Sequence, residues 1–113
     1  MDAFRDFLAD SNSVVLLAEE NEPVGYLYAQ FQNHHGNWAR KESHVLYIHH
    51  MVIDPKFRRK GNGDQLLSAA IDIARSRGVE RLELDVWSFN VAAKKFYAKH
   101  GLKVFNEKMS III

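Results

Sequence analysis

Residues 52–63 run Val-Ile-Asp-Pro-Lys-Phe-Arg-Arg-Lys-Gly-Asn-Gly, and their types suit the binding of phosphate. The order predicts a strand that stops at Asp54-Pro55, a basic turn, and a helix opening at Gly63. A helix N-terminus presents free N–H groups and the positive end of the dipole. Gly61 and Gly63 would let a phosphate approach the backbone, and Arg58, Arg59 and Lys60 add charge. The combination suits a pyrophosphate. Two common nucleotide motifs do not fit. The P-loop needs four residues between its glycines, and the dinucleotide fingerprint needs a third glycine where this chain has Leu66. The bland alternative is a basic turn that caps a helix and binds nothing.

Groups able to move protons lie to either side. Six histidines are present: His34, His35, His44, His49, His50 and His100. Histidine is the side chain whose ordinary pKa falls near neutrality. Strand alternation over Val45–Ile53 puts Tyr47, His49 and Met51 on one face and Ile48, His50 and Val52 on the other; a bulge would swap that assignment. Farther on stands Tyr97. Tyr28, Trp38 and Trp87 either line a pocket or are buried aromatics, with burial favoured for Trp87. His34, His35 and His44 lack metal-ligand spacing, and Glu19–Glu22 reads as a charged turn.

The elements that must hold these groups can be read from periodicity. Residues 2–10 suit a short helix with Phe4, Phe7 and Leu8 on one face. Val14–Ala18 and Val24–Phe31 read as a hairpin, and Asn33–Ser43 as a polar loop. Val45–Ile53 is a third strand. Leu66, Leu67, Ala70, Ile71 and Ala74 share a helical face up to the Arg75, Arg77 and Gly78 stop signal. Leu82–Trp87 is the next strand. Asn90 suits an N-cap before a helix bearing Ala93, Phe96, Tyr97 and His100, and Val104–Ile113 reads as a closing strand. The order α-ββ-β-α-β-α-β is mixed α/β around a central sheet.

The 113 residues fit one domain. Fifteen basic and fourteen acidic residues give a net charge of +1, which does not call for nucleic acid or an acidic membrane. There are no cysteines, which excludes disulfides, thiolate metal sites and a thiol nucleophile, and favours a cytoplasmic setting. The start has early acidic residues and no long apolar run, so it does not read as a signal peptide.

Arg58-x-x-Gly61-x-Gly63 after a Val-x-x-Pro strand end resembles the acyl-CoA loop of the GNAT superfamily of N-acetyltransferases. Leu84–Asn90, then Ala93, Phe96-Tyr97 and Gly101-Leu102, resembles that family's closing strand–helix segment. The resemblance covers Val14 to the C-terminus. It implies a mixed, mostly antiparallel central sheet with splayed strands, flanked by helices. It implies acetyl-CoA, and no metal, in a V-shaped gap between the third strand and Leu82–Trp87. By position, the backbone of Met51, Val52 and Ile53 would hold the pantetheine arm. Arg58, Arg59, Lys60, Gly61, Asn62, Gly63 and Asp64 would take the pyrophosphate, Asn90 the far end of pantetheine, and Tyr97 would sit by the thioester sulfur. Asn62 stands where an apolar residue is usual, and Arg59 replaces a common glycine. The family's first strand is expected to be missing, leaving Val14–Ala18 as an exposed edge for a second subunit of a homodimer to cover.

The implied reaction is direct acetyl transfer to an amine, small-molecule or protein-borne. An ammonium must lose a proton before its lone pair can attack. His49 is the candidate base, against the reading that both strand histidines fill sheet surface. Tyr97 is the candidate acid for the leaving thiolate, against a core aromatic. Two rivals stand beside the enzyme: a non-catalytic acyl-CoA-binding or regulatory domain, and a nucleic-acid module using Lys56–Lys60.

Overall fold

The computed structural model describes residues 3–7, 12–34, 36, 38, 43–58 and 61–113. Five strands form one sheet in the order β1-β2-β3-β4-β5. They are β1 (Ala3–Phe7), β2 (Ser13–Glu19), β3 (Pro23–His34), β4 (Ser43–Ile53) and β5 (Arg81–Glu83). The first three pairings are antiparallel, and β4 and β5 are parallel. Two helices follow the same chain order, α1 (Asn62–Ser76) between β4 and β5 and α2 (Val91–Lys99) after β5. The expected mixed, mostly antiparallel sheet flanked by helices is therefore present.

Three expectations need correction. Of residues 2–10, read as an N-terminal helix, residues 3–7 form β1, with Ala3 opposite Glu19 and Phe7 opposite Val15; residues 2 and 8–10 lie outside the described residues. Nine residues make a marginal helix, whereas the edge of β2 offers a ready ladder. A strand thus stands ahead of Val14, and the β2 edge is covered by its own chain rather than by a second subunit. Next, β5 ends at Glu83 instead of Trp87. Its last partner is Tyr47; beyond that pair the chain leaves β4 and no ladder holds it. Finally, Val104–Ile113 is not a strand. Ile111, Ile112 and Ile113 are almost wholly exposed, and apolar content without a neighbouring ladder does not make a strand.

The core lies between the sheet and α1. Leu66, Leu67, Ala70 and Ala74 of α1 pack on Val14, Leu16, Ala18, Leu27, Ala29, Leu46 and Ile48. Leu16, Leu27, Leu46, Leu66 and Leu67 are fully buried, each stabilising the fold by about 1.5–3 kcal/mol. The i, i+3, i+4 spacing in α1 and the period of two in β2 are what place these residues on facing surfaces.

Gly25 shows how closely β3 and β4 approach. A Cβ there would come within 2.5 Å of the Val52 carbonyl oxygen, so only glycine fits. Between Tyr28 and Ala29 the β3–β4 register slips, with Tyr28 opposite His50 and Ala29 opposite Ile48. His49 is the extra residue of a bulge in β4. The slip changes the parity of the strand. Leu46 and Ile48 face the core, and so do Met51 and Ile53. Tyr28 stacks on His49 and on His50 at 5.2 and 6.4 Å between centroids. Both histidines therefore share the face opposite α1, and Met51 does not join them. The alternation read without the bulge is corrected at this point.

Candidate active site

Past Tyr47 and Glu83 the two parallel strands part. The gap is a cleft of about 240 Å³ lined by β4 residues 48–52, by Leu84–Trp87, and by Asn90, Ala93 and Tyr97. The break in the β4–β5 ladder and the bulge at His49 make the opening, and α2 floors it.

At one end lies the turn into α1. Asp54 accepts a hydrogen bond from the Lys56 N–H at 3.0 Å, which caps a single 3-10 turn at Pro55–Phe57. Gly61 is the N-cap of α1 with φ 83°, a left-handed conformation that favours glycine. Among the described residues nothing lies within 4 Å of where its Cβ would be. The open space, the free N–H groups of the helix start and the exposed Arg58 form a donor set suited to a pyrophosphate. Arg58 Nε donates to the Ile53 carbonyl at 3.0 Å, folding the side chain back along the end of β4. Arg59 and Lys60 lie outside the described residues.

Three neighbours in this loop also make contacts within the fold. Asn62 is buried; its Nδ2 donates to the Phe57 carbonyl at 3.0 Å, and its Oδ1 has no hydrogen-bond partner among the described residues. The side chain thus ties the loop to the helix start in place of an apolar residue. Gly63 lets Phe96 of α2 come close, since a Cβ would stand 3.4 Å from that ring. The Asp64 carboxylate faces Lys99 Nζ at 2.9 Å and His100 Nε2 at 2.7 Å, at the far end of α2.

Those hydrogen bonds from Lys99 and His100 hold the Asp64 carboxyl below its ordinary pKa. A depressed folded-state value contributes stability above the unfolded pKa near 3.8, lost as pH falls through the folded value. Asp64→Asn is therefore expected to flatten the acid side of the stability curve. Urea unfolding of both proteins at pH 6 and pH 3 checks it. The expected gap at pH 6 is under about 1 kcal/mol, because these groups are partly exposed, and it should narrow at pH 3. A gap that stays constant would show that Asp64 acts through packing alone.

On the opposite side of the cleft the face of β3 and β4 away from α1 gathers polar and aromatic groups. His49 Nε2 lies 2.8 Å from Gln30 Oε1. The Tyr47 ring meets His49 edge-on at 4.9 Å. Tyr47 donates its hydroxyl hydrogen to Asp85 Oδ2. Burial, with the Asp85 hydrogen bond and charge, pushes the Tyr47 phenol up to about 12, so it stays protonated. Trp87 is 74% exposed and stacks on Phe89 at 5.9 Å. The favoured core reading of Trp87 is thus corrected: it lines the cleft. Trp38 is fully exposed. His44 is hydrogen-bonded to Asn33.

The second helix brings the last two groups. Asn90 Oδ1 accepts from the Ala93 N–H at 3.1 Å, capping α2, while its Nδ2 remains to donate. Tyr97 sits one residue after Phe96, whose ring it meets edge-on at 5.3 Å. Burial pushes its phenol up from 10.0. Of the anticipated residues, Met51, Val52, His49, Asn90 and Tyr97 line one cleft, and Arg58, Gly61 and Gly63 surround the helix start. Ile53 is not among the cleft-lining residues. Sequence reading missed Gln30 and Asp85. Gln30 shares the Tyr26-Tyr28 face of β3, so alternation signalled its side, but only the β3–β4 register places it beside His49.

A mixed sheet whose parallel strands part around a cleft, with a helix N-terminus at one end and titratable side chains at the other, is the arrangement of the GNAT fold. The model of the Acetyltransferase (GNAT) family matches residues 1–102, and the chain belongs to that family. Relatives include the aminoalkylphosphonate N-acetyltransferase of Salmonella typhimurium, 36% identical over 105 residues, covering 90% of this chain and 64% of that protein. An uncharacterised N-acetyltransferase of Methanocaldococcus jannaschii is 33% identical over 101 residues, covering 88% of this chain and 41% of that protein. The chain thus spans less than two-thirds of these curated relatives. Among solved structures, a variant of the BH1408 protein of Bacillus halodurans superposes with a TM-score of 0.86 at 23% identity, over 93% of this chain and 68% of that one. The aminoglycoside N-acetyltransferase AAC(6')-Iy, bound to a CoA-based bisubstrate analogue, gives 0.79 at 17% identity, over 92% and 71%. No helix among the described residues is long and apolar enough to cross a membrane.

Proposed function

We propose that this chain transfers an acetyl group from acetyl-CoA directly to a primary amine. The observation that carries the reading is the single cleft lined by His49 from β4 and by Asn90 and Tyr97 at α2. GNAT membership supports it, as do the names of the relatives, each an N-acetyltransferase. In this reading the α1 N-terminus, with Gly61, Gly63 and Arg58, holds the pyrophosphate. The parted edge of β4 at Met51 and Val52, together with Asn90 Nδ2, holds the pantetheine arm. His49 takes a proton from the acceptor ammonium, which frees the lone pair to attack the thioester carbonyl. Tyr97, kept protonated by burial, gives its proton to the departing thiolate. Arg59 and Lys60 add positive charge to the phosphate turn. The absence of cysteine supports a cytoplasmic setting.

Calorimetric titration with acetyl-CoA and with CoA, followed by an amine screen for CoA release, tests the proposal. Micromolar binding with turnover on at least one amine is the expected result. A folded protein that binds neither ligand would refute it. Binding without turnover on any amine would favour a non-catalytic acyl-CoA-binding domain.

Asn90 offers a separate check, because its two amide ends serve different purposes. Asn90→Ala should cost about 1 kcal/mol of stability through the lost cap, and also weaken CoA binding. Asn90→Asp keeps the cap oxygen but loses the Nδ2 donor, so it should restore stability in thermal melts without restoring affinity. Full recovery of both would remove Asn90 from the cofactor site.

A further inference from the structure

Gln30 has no part in the phosphate or thioester end of the cleft, yet it makes the one side-chain hydrogen bond described for His49. The two come together through the β3–β4 register. Gln30 pairs with Tyr47 across the β3–β4 ladder, and His49, two residues after Tyr47, lies on the same face. Gln30 Oε1 then lies 2.8 Å from His49 Nε2. An amide oxygen has no hydrogen to give, so Nε2 carries the hydrogen in this contact. A neutral imidazole holds one N–H only, and its lone pair is therefore on Nδ1. The ring plane is set as well, stacked on Tyr28 at 5.2 Å and 24° and met edge-on by Tyr47 at 68°.

We propose that Gln30 is a positioning residue that locks His49 in the Nε2–H tautomer and so makes Nδ1 the atom that takes the acceptor's proton. The inference rests on the assignment of His49 as the base. The step is R–NH3+ plus neutral His49 giving R–NH2 plus imidazolium. The N–H bond of the ammonium breaks as the Nδ1–H bond forms, and the proton passes afterwards to solvent. Gln30 accepts from Nε2 in both protonation states, so the ring need not turn between them. The titratable groups around it are Tyr28 from β3, Tyr47 and His50 from β4, and Asp85 beyond β5, which Tyr47 engages.

The test is nitrogen NMR of the full chain labelled with 15N-histidine, with the His49 signals assigned by their loss in His49→Gln. The wild type should show a protonated Nε2 and an unprotonated Nδ1. Gln30→Leu should give averaged signals from both tautomers. Gln30→Glu, which keeps the shape and an acceptor oxygen, should retain the wild-type tautomer and raise the His49 pKa by about one unit through the added opposite charge. In steady-state assays Gln30→Leu should lower kcat about tenfold with KM little changed, and in Gln30→Glu the acid limb of kcat should move up with the NMR pKa. A wild-type Nδ1–H, or a tautomer population indifferent to Gln30→Leu, overturns the proposal. If the tautomer responds while the acid limb stays fixed, the role of Nδ1 as the base is overturned. A protein with the stated tautomer and no transfer to any amine would refute the proposed function and leave the positioning by Gln30 standing.

Discussion

Tyr97→Phe is expected to lower kcat about 100-fold while leaving CoA affinity within about twofold. The substitution removes one oxygen and keeps the ring that meets Phe96 edge-on, so packing between α2 and the sheet should survive. The lost group is a proton donor. Burial raises the phenol above 10.0, so it stays protonated across the neutral range and loses its proton only at higher pH. A thiolate has an ordinary pKa near 8.5, and its departure is helped by a hydrogen bond that strengthens as charge develops. The alkaline limb of the wild-type kcat profile should accordingly lie above pH 10, and Tyr97→Phe should lack that limb. Calorimetry for CoA and a thiol-release assay for turnover separate the two effects. Unchanged turnover would dismiss Tyr97 as the acid and return it to the role of a core aromatic. A matched loss of affinity and rate would point to a binding role instead.

How much of this site was legible in the chain depends on how local its causes are. The phosphate turn, the cap at Asn90 and the Phe96-Tyr97 face are short-range devices, and each could be read from neighbouring residues. Period 3.6 also gave α1 its buried face of Leu66, Leu67, Ala70 and Ala74. The misreadings all required a partner strand. Residues 3–7 became β1 because the β2 edge was there to pair with. The closing segment from Val104 stayed out of the sheet because no ladder reached it. Strand parity at His50 and Met51 was lost to a one-residue slip, since a bulge leaves no mark in the pattern of side chains. Gln30 and Asp85 went unseen for the same reason: each meets its partner across strands, over 19 and 38 residues of chain.

Gly61→Asp is expected to weaken CoA binding at least 100-fold, equivalent to about 2.7 kcal/mol, with the fold intact. Position 61 adopts φ 83°. A side chain there costs about 1 kcal/mol of left-handed strain, and Asp and Asn tolerate that conformation better than most residues. Space is not the obstacle, since among the described residues nothing lies within 4 Å of the new Cβ. As the N-cap of α1, an aspartate would also accept from the first free N–H groups, which offsets part of the strain. The same carboxylate would occupy the donors and the positive dipole end that a pyrophosphate needs, and it would repel the phosphates. At about 4 Å and an effective dielectric near 20 two unit charges interact by about 4 kcal/mol, enough to exceed the expected loss even after screening. Gly61→Asn separates charge from shape, because it has nearly the same volume and backbone tolerance without the negative charge. It should lose less than about tenfold in affinity. Equal losses for the two variants would mean that bulk closes the site. Retained affinity in Gly61→Asp would move the phosphate site away from the α1 N-terminus.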